Sequence, residues 1–89
     1  MAEATGNEAF IKASQDVLTF ESANTNEAKL KLYGLFKQAT VGDNDTAKPS
    51  MFNLVAKSKW EAWAANKDMS KEEAQQKYID YVEELRSKN

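Results

Sequence analysis

Leu30-Lys31-Leu32-Tyr33-Gly34-Leu35-Phe36-Lys37-Gln38-Ala39-Thr40-Val41-Gly42-Asp43 reads as a helix with two distinct faces. At about 100° per residue, Ala28, Leu32, Leu35 and Ala39 recur at i, i+4, i+7 and i+11 and form an ordinary core stripe. Tyr33, Phe36, Lys37 and Thr40 recur at i, i+3, i+4 and i+7, a quarter-turn or more away. A core face would not choose a lysine, and a solvated face would not choose two aromatics. The mixture of two rings, a cation and a hydroxyl suits a ligand with a flat ring and an anionic group. The helix is expected to begin near Asn26 or Glu27, because Asn24, Thr25 and Asn26 favour turns and N-caps. It is expected to stop at Gly42, a suitable C′ residue. Gly34 inside it costs about 1 kcal/mol against alanine, and marks close approach of a neighbour or a ligand to the backbone.

Upstream, Thr5 and Glu8 have capping-box spacing, which places a helix start near Gly6 or Asn7. Phe10, Ala13, Val17 and Phe20 give its apolar stripe, with Ile11, Ser14 and Leu18 as a second row. Core packing accounts for both rows; the alternative is that the Ile11–Leu18 row lines a groove. Downstream, Val41 to Ser50 is irregular. Asp43-Asn44-Asp45 hints at a calcium loop, but Lys48 falls at the glycine position and Leu54 at the bidentate acid position, so no metal is expected. Pro49 and Ser50 precede a third helix expected from Met51 to Ala65, with Phe52, Ala56, Trp60 and Trp63 on its core face and Lys59 beside it. The last helix starts at a Ser70–Glu73 capping box and carries Ala74, Tyr78, Tyr81, Val82 and Leu85 on one stripe. Arg86 and Lys88 complement its dipole. Four amphipathic helices in one small unit imply an all-α bundle.

Composition closes off several chemistries. The 89 residues suit one domain, 1–89, whose core depends on two Trp, four Phe and three Tyr. The absence of cysteine excludes disulfides, thiolate catalysis and Cys-type zinc sites. The absence of histidine removes the usual general base and the Ser/His triad. A net charge of −2 gives no basic surface for nucleic acid, so any anion site must be a local group of lysines. No apolar run approaches the ~20 residues of a membrane span. The small, acidic N-terminus is unlike a secretory signal, and a cytoplasmic monomer is the expectation.

At Tyr33 to Asp43 the sequence resembles the signature of the acyl-CoA-binding protein family. The resemblance continues through Pro49, Lys59-Trp60-Glu61-Ala62-Trp63, Ser70-Lys71-Glu72-Glu73-Ala74, Tyr78-Ile79-Asp80 and Val82-Glu83-Glu84-Leu85, so it covers nearly the whole chain. It implies a four-helix up-down-down-up bundle that binds long-chain fatty acyl-CoA thioesters and serves as an intracellular carrier and pool former. It implies neither an enzyme nor a cofactor. By the same resemblance, Tyr33 and Lys37 would hold the nucleotide phosphate, Lys59 would lie near phosphate and adenine, and Tyr78 would close the site. Phe36 stands where the family usually has a second tyrosine against the adenine, keeping the ring without the hydroxyl. Leu18 and Val55 occupy positions where several members place ligand-contacting lysines; they are weaker ligand-binding candidates, trading charge for contact with the acyl chain. Ser50, Asn53 and Asp68 replace the commoner Gly, Asp and Gly, and Asp68 strains its turn if that position needs a positive φ.

Two other classes of function fit part of the pattern. A small bundle with an aromatic groove suits a partner's amphipathic helix, which explains the rings but not Lys37 one turn after Tyr33. An enzyme, such as a thioesterase using Lys, Asp or Glu, lacks any obvious catalytic pair. Magnitudes divide the work in the carrier reading. Acyl methylenes contribute about 0.8 kcal/mol each, on the order of 10 kcal/mol for a long chain. A charge-assisted hydrogen bond adds about 1.5–3 kcal/mol. The chain supplies most of the gross affinity, and the head group supplies the selectivity.

Overall fold

The computed structural model describes residues 1–89. The chain forms four α-helices, α1 Glu8–Asp16, α2 Asn26–Thr40, α3 Leu54–Ala64 and α4 Lys71–Lys88, with 3-10 turns at Ala2–Thr5, Val17–Thr19 and Glu21–Ala23 and no strand. Each α-helix starts at a side chain that accepts an orphan amide. Asn7 takes the N–H of Phe10 at 3.1 Å and Thr25 that of Ala28 at 3.1 Å. Asn53 takes that of Ala56 at 3.1 Å and Ser70 that of Glu73 at 3.0 Å.

Three sequence expectations change here. The Thr5–Glu8 box does not form: the Thr5 hydroxyl donates to the Ala2 carbonyl at 2.7 Å and accepts the Asn7 N–H at 3.2 Å, which leaves Asn7 to cap α1. The third helix begins at Leu54 rather than Met51 and ends at Ala64, because Asn53 is its cap. Ser50 instead closes a turn, its Oγ accepting the Phe52 N–H at 3.2 Å and its carbonyl the Asn53 N–H at 3.0 Å. Phe52 therefore lies outside the helix and is exposed, not part of a core stripe. Phe20 likewise lies beyond the 3-10 turn that ends α1, half-buried beneath the Arg86 guanidinium at 4.9 Å.

Contacts between helices fix their directions. Asn7 reaches Gln75 at 3.0 Å and Asp16 meets Arg86 at 3.0 Å, so α1 and α4 run the same way. Gln75 donates to the Ala39 carbonyl at 3.2 Å and Lys31 lies 4.3 Å from the Tyr81 ring, so α2 runs against α4. Lys59 lies over Tyr33 and Lys37 over Trp63, so α3 runs alongside α2. The result is up-down-down-up. The main core lies among α1, α2 and α4: Phe10, Ala13, Val17, Ala28, Leu35, Ala39, Ala74, Tyr78, Val82 and Leu85 are buried together. Each large side chain buried there is worth about 1.5–3 kcal/mol. Tyr81 belongs to the edge of that core, not its centre.

On the far side of α2, α3 packs against Gly34. A Cβ there would stand 2.8 Å from the carbonyl carbon of Ala62, so the neighbour behind this glycine is the α3 backbone. The two tryptophans of α3 tie down the preceding loop. Trp63 Nε1 donates to the Gly42 carbonyl at 2.7 Å and Trp60 Nε1 to the Thr46 carbonyl at 3.0 Å. Trp63 is buried as expected of a core residue; Trp60 is only half-buried. Asp43 serves as a loop acceptor, taking Gln38 Nε2 at 2.8 Å and the Asp68 N–H at 2.9 Å. Asp68 has φ 72°, the positive value that the turn demands.

Candidate ligand-binding site

The second stripe of α2 is half-buried along its length: Tyr33, Phe36, Lys37 and Thr40 are neither sealed nor free. Phe36 leans on the core, its ring stacked 5.6 Å from Phe10 and edge-on at 6.0 Å to Tyr78. Its remaining surface faces a cavity of about 520 Å³. Tyr33, Phe36 and Tyr78 are the aromatic walls of that cavity, Ser14 comes from the last turn of α1 and Leu18 from the 3-10 turn after it, and Lys29 stands at its edge. The second apolar row thus does line a groove at Ser14 and Leu18, while Ile11 packs on the core. The Thr40 hydroxyl is not available to a ligand in the same sense, since it donates to the Phe36 carbonyl at 2.8 Å within the helix.

Burial raises the Tyr78 phenol to about 12. It therefore stays a neutral donor at any physiological pH. Its hydroxyl makes no hydrogen bond within the chain and is not sealed from the cavity. A buried tyrosine ordinarily finds a partner for that group, so this donor is free for a ligand.

The remaining candidates come from α3. The Lys59 ammonium lies 5.4 Å from the Tyr33 ring centroid, and the Lys37 ammonium 4.8 Å from that of Trp63. Val55 and Lys59 line a separate, narrower groove of about 240 Å³ with Asn26, Leu30, Leu54 and Ser58. Lys59 lines this groove, Tyr33 lines the cavity, and the two side chains meet. Tyr33, Phe36, Tyr78 and Leu18 thus share one cavity; Lys59 and Val55 share the adjoining groove; Lys37 lines neither and rests on Trp63.

Sequence reasoning missed Lys29, although Lys29, Tyr33, Phe36 and Lys37 follow one another at i, i+4, i+7 and i+8. It also missed Met1, Ala2 and Glu3, which fold over the cavity through the N-terminal 3-10 turn. No signal in the sequence ties those three residues to α2. A larger hollow of about 590 Å³ lies among α2, α3 and α4, but its rim mixes Lys31 and Lys77 with Asp80 and Glu84 and contains none of the expected site residues. Opposed charges on one rim give no net preference for an anion. No group of His, Cys, Asp or Glu side chains is arranged to hold a metal ion.

An aromatic-walled cavity with a cation-edged apolar groove beside it, carried on four helices, is an arrangement suited to binding a ligand. Comparison with known proteins agrees: residues 7–82 match the model of the family described as acyl CoA binding protein. The chain is 49% identical over 79 residues to acyl-CoA-binding protein homolog 1 of Caenorhabditis elegans, covering 89% of this chain and 92% of that protein. It is 49% identical over 82 residues to the acyl-CoA-binding protein homolog of Drosophila melanogaster, covering 92% and 95%. The crystal structure of Oryza sativa acyl-CoA-binding protein 2 superposes with a TM-score of 0.86 at 44% identity, covering 91% of this chain and 90% of that one. The chain belongs to the acyl-CoA-binding protein family. That family is one of ligand-binding proteins and not of enzymes.

Proposed function

We propose that the protein binds long-chain fatty acyl-CoA thioesters and acts as a monomeric, single-domain carrier and pool former for them in the cytoplasm. The observation that carries this reading is the meeting of Lys59 with Tyr33 between an aromatic-walled cavity and an apolar groove. A flat base, an anionic linker and an aliphatic tail need those three environments side by side. In this reading Tyr33, Lys37 and Lys59 hold the phosphates, and Phe36 stacks on the adenine. Tyr78 donates its free hydroxyl. Val55 and Leu18 extend the apolar contact where other members of the family place lysines. Lys37 exchanges its cation–π contact with Trp63 for a phosphate, or shares the two, so its gain is the difference between them.

Calorimetry with a long-chain acyl-CoA and the matching free fatty acid tests the reading. The thioester is expected to bind much more tightly, because the head group supplies the selectivity; equal affinities would sink the carrier. Phe36→Ala is expected to weaken thioester binding by about 1–3 kcal/mol, as for truncation of a base-stacking ring. Phe36→Tyr is expected to be neutral or better. The chain has no histidine, so the change of affinity between pH 5 and 8 is expected to come chiefly from the ligand's phosphate monoester, whose second pKa is near 6. Affinity then rises with pH, and a dephospho-CoA ester loses the rise.

A further inference from the structure

From Thr46 to Trp60 the chain carries Lys48, Lys57 and Lys59 and not one carboxylate. That is +3 in a chain of net charge −2, so everything outside the segment sums to −5. The same segment holds the largest exposed apolar side chains of the molecule apart from Leu18. Phe52 is 91% exposed, Met51 70%, and Leu54 and Val55 69% each. Met51 and Phe52 sit on the turn closed by Ser50, and Leu54 and Val55 on the first turn of α3. Behind this tip the loop is held by the two indole hydrogen bonds to Gly42 and Thr46, so the apolar side chains project from an anchored base. Leu54 and Val55 edge the narrower groove, while Met51 and Phe52 line none of the hollows described above and stand open to solvent.

We propose that this tip is a docking wedge for an anionic lipid bilayer. The occupant follows from charge and shape. Apolar side chains as exposed as Phe52 and Met51 enter the acyl boundary, while flanking lysines meet anionic head groups. The strongly negative remainder of the chain is repelled by such a surface, which fixes the orientation with the tip toward the lipid. A two-fold, tip-to-tip contact with a second copy of the chain is disfavoured, because its own +3 segment would face this one. Three lysines and one small wedge make the docking weak and reversible, as suits a protein that must leave again. Leu54 and Val55 also line the groove that contains Leu30 and Lys59, so docking would bring the groove to the bilayer, where long-chain amphiphiles reside. That last consequence rests on the proposed acyl-CoA reading; the docking does not.

Flotation of ligand-free protein with vesicles of phosphatidylcholine alone, or of phosphatidylcholine with phosphatidylserine, tests it. The protein is expected to float with the anionic vesicles only, and less as salt is raised. Phe52→Ser is expected to lower the partition coefficient about tenfold, the loss of one buried phenyl side chain. Lys48→Gln and Lys57→Gln are each expected to lower it several-fold, on the scale of one lysine at an anionic surface. Phe52 and Lys48 are exposed, and Lys57 is half-buried but makes no ion pair, so thermal stability should change little, and calorimetry of the same variants should show acyl-CoA affinity retained. Three results would overturn the wedge: no anion-dependent flotation, variants that float like the parent, or a concentration-dependent dimer that Phe52→Ser abolishes. A parent that binds acyl-CoA but ignores vesicles removes the docking and leaves the carrier.

Discussion

Helices α3 and α4 flank the same partner, α2, and are held to it by different means. Ala74, Gln75, Tyr78, Val82 and Leu85 of α4 are buried, and its ends are joined to α1 through Gln75 and Arg86. α3 buries only Trp63. It is kept in place by a close backbone approach at Gly34 and by polar bonds to its own preceding loop. One flank is a hydrophobic core; the other is a clasp. The clasped helix supplies Lys59 and Val55, so the adaptable part of the proposed site lies on the flank that is cheaper to move.

Four substitutions or conditions would break or sharpen this contrast. The largest effect belongs to the core. Phe10→Ala removes a fully buried ring that contacts both Phe36 and Tyr78, and is expected to cost about 3–5 kcal/mol in urea denaturation. Against a typical stability of about 5–15 kcal/mol, that removes a large share of the folding free energy. A loss under 1 kcal/mol would mean that the core is not centred there.

Gly34→Ala comes next and attacks the clasp. Alanine gains about 1 kcal/mol in helix propensity. The added methyl meets the backbone of Ala62, which has no rotamer to escape into, and overpacking costs about 1–3 kcal/mol or more. A net loss on the order of 1 kcal/mol is expected, with faster amide exchange in α3 and unchanged exchange in α4. Net stabilisation would show that the α2–α3 contact has slack.

Trp60→Phe removes one indole bond to Thr46 while keeping a ring. The expected loss is about 0.5–1.5 kcal/mol, concentrated in the loop at residues 41–53. Exchange that spreads evenly through α1 and α4 would contradict a separate clasp.

The smallest effect is that of pH on Asp43. The Gln38 amide, then the Asp68 N–H and the charge of Lys67, hold its carboxyl below the ordinary carboxylate value. Its contribution is therefore complete above about pH 3.9, the unfolded value, and is lost as pH falls through the lower folded one. Melting curves of the parent and Asp43→Asn should converge as the solution is made more acid. Curves that stay parallel would assign the acid loss to other carboxylates, such as Asp16 between Lys12 and Arg86.

Local chemistry and period were enough to read most of the helices. The core stripe of α2 and the cap at Ser70 follow from residues within a few positions of one another, whereas the positive φ at Asp68 is signalled only by the resemblance, through the glycine common at that position. The special role of Gly34 was legible too, but not its partner. The failures share a cause. Ser50 and Asn53 are both good caps, and only the tertiary position of α3 decides between them, so Phe52 was misplaced. Gln75 bridges Asn7 and the Ala39 carbonyl across three helices, a pattern with no period. At the site, Tyr33, Phe36 and Tyr78 line one cavity, whereas the seating of Lys37 on Trp63 depends on the α2–α3 crossing and has no local signature.

Both tryptophans of the chain stand on α3, and each has its indole N–H committed to the loop behind it. The protein's indole emission is therefore a local optical probe. It reports the clasp, while far-ultraviolet dichroism is dominated by the backbone of the other three helices. Coincident emission and dichroism melts would identify one cooperative unit. An emission transition that precedes the dichroism would record α3 leaving the bundle before the core yields.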